Sequence, residues 1–290
     1  MDKTMLSADQ QMLCILQDII TKGRKVVTRN APAYRLIDYP HILFDQTPLF
    51  TIRKTAWKKA LREMEWFMSG EPKCPPELMD WWAGQLNEND EYLGGYGEQM
   101  RHQGISSSEC TINTGFDQVH AILQSLKDHP FGRRHIMTTW EPFTMNHITA
   151  INGNTQTPTT CHGTLTQFFV QDECLHMKTY QRSADILLGV PHNWIQYWAL
   201  LHYFAYHTNL YVGTLIWNFG DLHLYDETSH IECARLILDQ DVYAHPTDFA
   251  LEYHYSGTMK NGCPEFLAKD FTVKGEIPAP TVLIRPKLLA

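Results

Sequence analysis

Cys161-His162 stands at the head of an apolar, strand-like run, directly after the polar stretch Gln156-Thr157-Pro158-Thr159-Thr160. Most cysteines are small buried hydrophobes, and Cys14 and Cys233 are expected to be such. Cys161 differs in its company. The strand that follows it leads into a second one ending in Tyr180-Gln181-Arg182-Ser183. A guanidinium beside a thiol favours the thiolate, the form that attacks carbon. Arg182 beside Ser183 joins a planar charged fork to a hydroxyl, which suits phosphate. Farther on, Asn193 carries both a donor and an acceptor, as a nucleobase edge requires. Plainer roles stand beside these: Asp185 as a cap of its own loop, Gly189 as a turn, Asn193 as a helix cap.

Other polar groups occur where chemistry can use them. Arg133-Arg134 is either a solvated pair or an anion contact. Asp221-Leu222-His223-Leu224-Tyr225 alternates in strand fashion, so Asp221, His223 and Tyr225 share one face and can line a cavity. Glu63 lies among Met64, Trp66 and Phe67, and a carboxyl in such surroundings has a raised pKa and can act as an acid or base. The histidines, His202 and His207 included, lack metal-ligand spacing, so no metal is expected. GxGxxG, Walker A, GxSxG and HExxH are all absent from the sequence.

These residues need a scaffold. Met12, Ile15, Leu16, Ile19 and Ile20 recur at helical spacing, with Ser7 and Asp9 as candidate caps and Gly23 as a stop. Helices are expected from Lys54 to Met68, from Phe116 to Lys127, and from Trp194 to Thr208 after Pro191. The last is apolar on most faces and so belongs in a core. Strands are expected at His135–Trp140, Leu165–Val170, Leu175–Tyr180 and Thr214–Asn218, with Asp172-Glu173 as a tight connection. Irregular alternation of the two element types predicts an α+β fold: one domain over residues 1–290, with a mixed sheet and packed helices. Gly70–Pro76 and Met145–Thr160 read as loops. The tail over 275–290 carries Pro278, Pro280 and Pro286 and is expected to be extended or mobile.

With 290 residues, 43% hydrophobic, the chain can bury a large core, which rules out a disordered or disulfide-stapled scaffold. The net charge of -8 disfavours a surface that coats nucleic acid, but a few focused arginines can still hold one phosphate. Seven cysteines without a CxxC pair predict a reducing, cytoplasmic setting. The sequence has neither an apolar signal core nor a membrane-spanning stretch.

Taken in order, Gln181-Arg182-Ser183-Ala184-Asp185, Leu188-Gly189-Val190-Pro191-His192-Asn193 and Gly220-Asp221-Leu222-His223-Leu224-Tyr225 resemble the thymidylate synthase superfamily, which includes the bacteriophage hydroxymethylases of pyrimidine deoxynucleotides. Glu63-Met64-Glu65-Trp66-Phe67, Tyr96-Gly97-Glu98-Gln99 and Arg133-Arg134 with Trp140 support the match. The resemblance implies that Cys161 attacks C6 of a pyrimidine nucleotide, so that C5 accepts the one-carbon unit of 5,10-methylenetetrahydrofolate. Arg29, Arg182 and Ser183 are then phosphate contacts, with Arg182 also favouring the thiolate. Arg133 and Arg134 reach the phosphate site of a second copy in a homodimer formed through the sheet. His223 and Tyr225 hold the sugar 3′-hydroxyl, Glu63 handles protons through water, and Tyr96 lines the site. Asp185 meets the pterin, and Leu188, Gly189, His192, Met79 and Trp82 lie along the folate.

Asn193 favours dUMP, since cytosine-acting members tend to carry Asp there. Departures from the family pattern bear on the product. Met79 takes the place of a shielding tryptophan, and His192 that of an aromatic residue. Arg29-Asn30-Ala31-Pro32-Ala33 replaces the usual phosphate loop, and Gln167 falls one position late. Loss of a shield admits water and favours 5-hydroxymethyl-dUMP, whereas a closing tail (Phe271 to Pro280) excludes water and favours dTMP. The order of expectation is dUMP hydroxymethylase, thymidylate synthase, then a dCMP-modifying enzyme. The alternative of a different class is an inactive homologue that binds nucleotide or RNA.

Overall fold

The computed structural model describes residues 5–104, 115–142, 160–241 and 248–289. Met1–Thr4, Cys110 and nearly all of the expected Met145–Thr160 loop lie outside them. In chain order the elements are α1 (Ala8–Lys22), β1 (Arg24–Val27), β2 (Pro32–Leu36), β3 (Ile42–Phe44), α2 (Trp57–Ser69), α3 (Met79–Trp82), α4 (Tyr96–Arg101), α5 (Gln118–Asp128), β4 (Ile136–Met137), β5 (Leu165–Gln171), β6 (Cys174–Asp185), α6 (Gly189–His207), β7 (Tyr211–Tyr225), α7 (Thr228–Leu238), β8 (Phe249–Tyr253), β9 (Met259–Lys260), β10 (Cys263–Pro264) and β11 (Phe271–Gly275). One mixed sheet runs β1-β2-β7-β6-β5-β4, with β3 also paired to β7. It is the α+β arrangement expected.

Two connections set the site. Asp172 and Glu173, at φ of 51° and 61°, turn β5 back into β6 in antiparallel register. From β6 the chain crosses through α6 into β7, and β6 and β7 run parallel, pairing Gln181 with Phe219, Ser183 with Asp221 and Asp185 with His223. Parallel neighbours require such a long crossover. α6 packs on one face of the sheet and buries Trp194, Tyr197, Tyr203 and Phe204 completely. Each such ring stabilises by about 2–3 kcal/mol through apolar burial, so this helix anchors the core.

Several expected boundaries shift for identifiable reasons. α6 begins at Gly189, upstream of Trp194, because Pro191 sits in the first turn, where a missing N–H costs nothing. β7 outruns the expected Thr214–Asn218, passing through Gly213 and Gly220 to Tyr225, since β2, β3 and β6 all pair with it. β4 shrinks to two residues. The Gln118 side-chain amide donates to Thr138 O (2.7 Å) and accepts from Thr138 N (2.9 Å), replacing a strand partner.

Ser7 caps α1 in a reciprocal capping box with Gln10. Asp9 does not cap. Its carboxylate is buried and accepts from Thr51 N at 2.7 Å and Thr51 Oγ1 at 2.6 Å, tying α1 to the loop before α2. Cys233 is buried as expected, but Cys14 is exposed. The tail runs extended and bonded: Val282 N donates to Ile52 O, Lys287 N to Ser229 Oγ, and Asn30 Nδ2 to Leu289 O. Among the described residues, no helix is long and apolar enough to cross a membrane.

Candidate active site

A cavity of about 850 Å³ opens where the C-terminal ends of β6 and β7 meet the start of α6. Cys161, Arg182, Ser183, Asp185, Asn193, His223 and Tyr225 all line it, as do Arg29, Glu63, Trp82, Tyr96, Leu188, Gly189 and His192. Residues far apart along the chain therefore converge on one space. Arg133, Arg134 and Met79 do not line it. Both arginines are exposed, while Met79 packs against the core.

Cys161 is held through its backbone. Tyr96 Oη accepts from Cys161 N at 2.6 Å and from His162 N at 3.3 Å, and Ser183 N donates to Cys161 O. Gly163 adopts φ of +61°, and a Cβ there would lie 1.8 Å from the Tyr197 hydroxyl, so only glycine lets the chain turn from Cys161 into β5. Arg182 Nη2 lies 3.6 Å from Cys161 Sγ. The same guanidinium donates to Thr160 O and sits over the Trp140 ring at 5.2 Å.

One electrostatic expectation needs correcting. Arg182, Arg29 and Ser183 favour the thiolate of Cys161, but burial outweighs them and leaves the thiol above its ordinary range. The guanidinium reduces the cost of ionisation without abolishing it. Glu63 follows the expectation: burial pushes it up to about 7, against the pull of its donors Trp82 and Gln196 and of Lys59. Trp82 Nε1 donates to Glu63 Oε1, and Gln196 Nε2 donates to Oε2 at 2.6 Å.

Asp185 does cap its own loop, since Oδ1 accepts from Leu187 N (3.0 Å) and Leu188 N (3.1 Å). Asn193 is no cap. It lies inside α6, with Oδ1 accepting from Gln181 and Nδ2 donating to Gln196. His192 is committed on both nitrogens, with Nδ1 2.6 Å from Leu188 O and Nε2 accepting from Ala56 N at 3.2 Å. Burial pushes it down to about 4, so the ring is neutral at neutral pH. On β7, Asp221 pairs with Arg35 and lies 3.3 Å from His223 Nδ1. Gln167 is outside the cavity, donating to Arg133 O at 3.1 Å.

Trp81, Gln181 and Leu289 also line the cavity, though nothing in the sequence assigned them to it, and Gln196 bonds two of its groups from behind. Gln196 was detectable, since it lies one helical turn after Asn193 on an otherwise apolar helix. Trp81 and Leu289 carried no such signal. Beside His192, with rings 5.0 Å apart, Trp81 forms an aromatic wall facing Leu188 and Gly189. Gly189 lines the cavity beside Asn193, and a Cβ there would make only an ordinary contact, 3.5 Å from Asn193 Oδ1. An aromatic wall and a carboxylate at Asp185 on one cavity fit a pterin.

The family model described as thymidylate synthase matches residues 10–285. The thymidylate synthase of Corynebacterium aurimucosum is 30% identical over 243 residues, covering 83% of this chain and 82% of that protein. That of Buchnera aphidicola subsp. Schizaphis graminum is 30% identical over 236 residues, covering 78% and 82%. The match spans every helix and strand that lines the cavity, and the chain belongs to the thymidylate synthase family.

Proposed function

We propose that this protein transfers one carbon from 5,10-methylenetetrahydrofolate to C5 of dUMP and delivers it as a methyl group, forming dTMP. The observation that carries the reading is the convergence of the Cys161 sulfur, the Arg182 guanidinium and the Asn193 amide in one cavity. Cys161 attacks C6, and its proton must leave first, a step that the Arg182 and Arg29 cations beside this half-buried thiol assist. Arg29, Arg182 and Ser183 hold the phosphate, and Asn193 reads the uracil edge. His223 and Tyr225 take the 3′-hydroxyl. Glu63, titrating near neutrality, can take up and release a proton within the working range. Asp185, Leu188, Gly189, His192, Trp81 and Trp82 form the folate side. When bound, the folate supplies the carbon and, for methylation, the reducing equivalent.

Dimerisation through the sheet is part of this proposal. The sheet face opposite α6 exposes Leu165, Phe169 and Tyr180 together with Ile136, an apolar patch suited to burial against a second copy. Arg133 and Arg134 are exposed just before β4, and in this reading they enter the partner's phosphate site.

Hydroxymethylation is the second reading, in which water completes the transfer. Met79 at the position of a tryptophan and the imidazole of His192 favour it. Two features weigh the other way: Trp81 and Trp82 still wall the cavity, and both His192 nitrogens are bonded to backbone and cannot activate water. Both curated relatives above are thymidylate synthases.

Product mass tests the proposal. With dUMP and methylenetetrahydrofolate, gain of CH2 with dihydrofolate formed supports methylation. Gain of CH2O with tetrahydrofolate released would replace it by the second reading. Turnover of dCMP in preference to dUMP defeats the uracil assignment. Nucleotide binding without C5 tritium release would mean an inactive homologue.

A further inference from the structure

A continuous line of buried side-chain hydrogen bonds runs behind the cavity. Trp217 Nε1 donates to Gln181 Oε1 at 3.1 Å, and Gln181 Nε2 donates to Asn193 Oδ1 at 3.0 Å. Asn193 Nδ2 then donates to Gln196 Oε1 at 3.0 Å, and Gln196 Nε2 donates to Glu63 Oε2 at 2.6 Å and to Ala60 O at 2.9 Å. Trp217 and Gln196 are fully buried, and Gln181, Asn193 and Glu63 nearly so.

The two ends fix the direction of everything between them. An indole N–H can only donate, and a backbone carbonyl can only accept. Reversing any of the three amides would set donor against donor or acceptor against acceptor in a dry interior, which is costly. Gln181 Nε2 is confirmed as the nitrogen by its second bond, to Ser183 O at 3.1 Å. Asn193 therefore keeps one acceptor site on Oδ1 and one N–H on Nδ2 for the cavity, in a fixed order. Uracil offers N3–H and O4 to that pair. Cytosine presents an acceptor at N3 and a donor at N4, and would need the amide turned over.

We propose that Gln196 is the residue that sets base selectivity: it locks the Asn193 amide in the uracil-reading orientation and, through its other end, joins that amide to the Glu63 carboxyl. The inference rests on the dUMP assignment above and deepens it. Gln196 touches no substrate and acts as a positioning residue. The charged and titratable groups around Glu63 are Lys59 on α2 and the Cys74 thiol, with the neutral donors Trp82 from α3 and Gln196 from α6. Losing Gln196 removes one of the two donors that stabilise the carboxylate, so the Glu63 ionisation moves to higher pH.

Two variants separate the two ends. Gln196→Met keeps the volume but removes both bonds, whereas Trp217→Phe removes only the indole donor and leaves Gln181 held by Ser183 O and Asn193 held by Gln196. Measurements on the full chain are C5 tritium release from dUMP and dCMP across pH, and equilibrium binding of each nucleotide without folate. Gln196→Met should lose roughly tenfold of the dUMP-over-dCMP preference, the scale of one misdirected buried hydrogen bond, while Trp217→Phe should keep most of it. Only Gln196→Met should also move the upper-range inflection of the pH profile upward. Unchanged preference in folded Gln196→Met, or an equal loss in Trp217→Phe, overturns the inference while leaving the dUMP assignment intact. An unmoved inflection in Gln196→Met overturns the link to Glu63. A wild-type preference for dCMP would overturn both the assignment and the inference.

Discussion

The substitution Glu63→Gln should make the protein's stability less dependent on pH, in a predictable direction. Burial raises this carboxyl from its ordinary 4.5 to about 7. An acid raised in the folded state supports the fold fully below its unfolded pKa, and that support is lost as pH climbs through the folded value. The window is therefore pH 4.5 to 7. At 1.36 kcal/mol per pH decade, ionising Glu63 inside the fold costs ~3 kcal/mol by pH 8. An amide in its place would carry no such cost. It would meet two donors, the Trp82 indole and the Gln196 amide, with one oxygen and one NH2 group, so the variant loses about 1–3 kcal/mol that does not vary with pH. The informative quantity is thus the difference between variant and wild type as a function of pH. Chemical unfolding at pH 5, 6, 7 and 8 should show the variant gaining ~2.5 kcal/mol relative to wild type across the series. In thermal scans this corresponds to roughly 5 °C for a chain of this size. A difference that stays flat from pH 5 to 8 would mean that Glu63 is not buried as a titrating group, and would remove it as the proton handler. The same variant should lose about 10²–10⁴ in kcat, since general acid–base catalysis contributes on that scale.

Three further outcomes follow from the site. Cys161→Ser should abolish C5 tritium release while dUMP binding, measured by calorimetry, changes little; retained turnover would exclude Cys161 as nucleophile. Arg182→Met should push the Cys161 thiol further up, because its largest opposing charge is gone; alkylation by iodoacetamide at pH 8 should slow, and an unchanged rate would refute the pairing. Asn193→Asp should shift preference from dUMP toward dCMP, read as the ratio of kcat/KM values; unchanged selectivity would show that the base is read elsewhere.

The chemistry-bearing residues were largely legible in order along the chain, because each needs a definite functional group and the strand–crossover–strand segment spaces them closely. Alternation placed Asp221, His223 and Tyr225 together, and the apolar composition of α6 marked it as the core helix. Element ends were less legible. Gln118 stands in for a strand partner of β4, and Asp9 serves as a buried tie to Thr51, both through contacts distant in sequence.

By itself the sequence determined which functional groups this protein owns, the α+β class and the family to which it belongs, since these depend on residue type and local period. Tertiary structure decided the state those groups are in. It set the Cys161 thiol above its ordinary range despite Arg182, tied up both nitrogens of His192, put Trp81 rather than Met79 beside Trp82 on the cavity wall, and gave the Asn193 amide its direction. The reason is physical: ionisation and hydrogen-bond polarity depend on desolvation and on partners brought from other elements, and neither exists until the chain has folded.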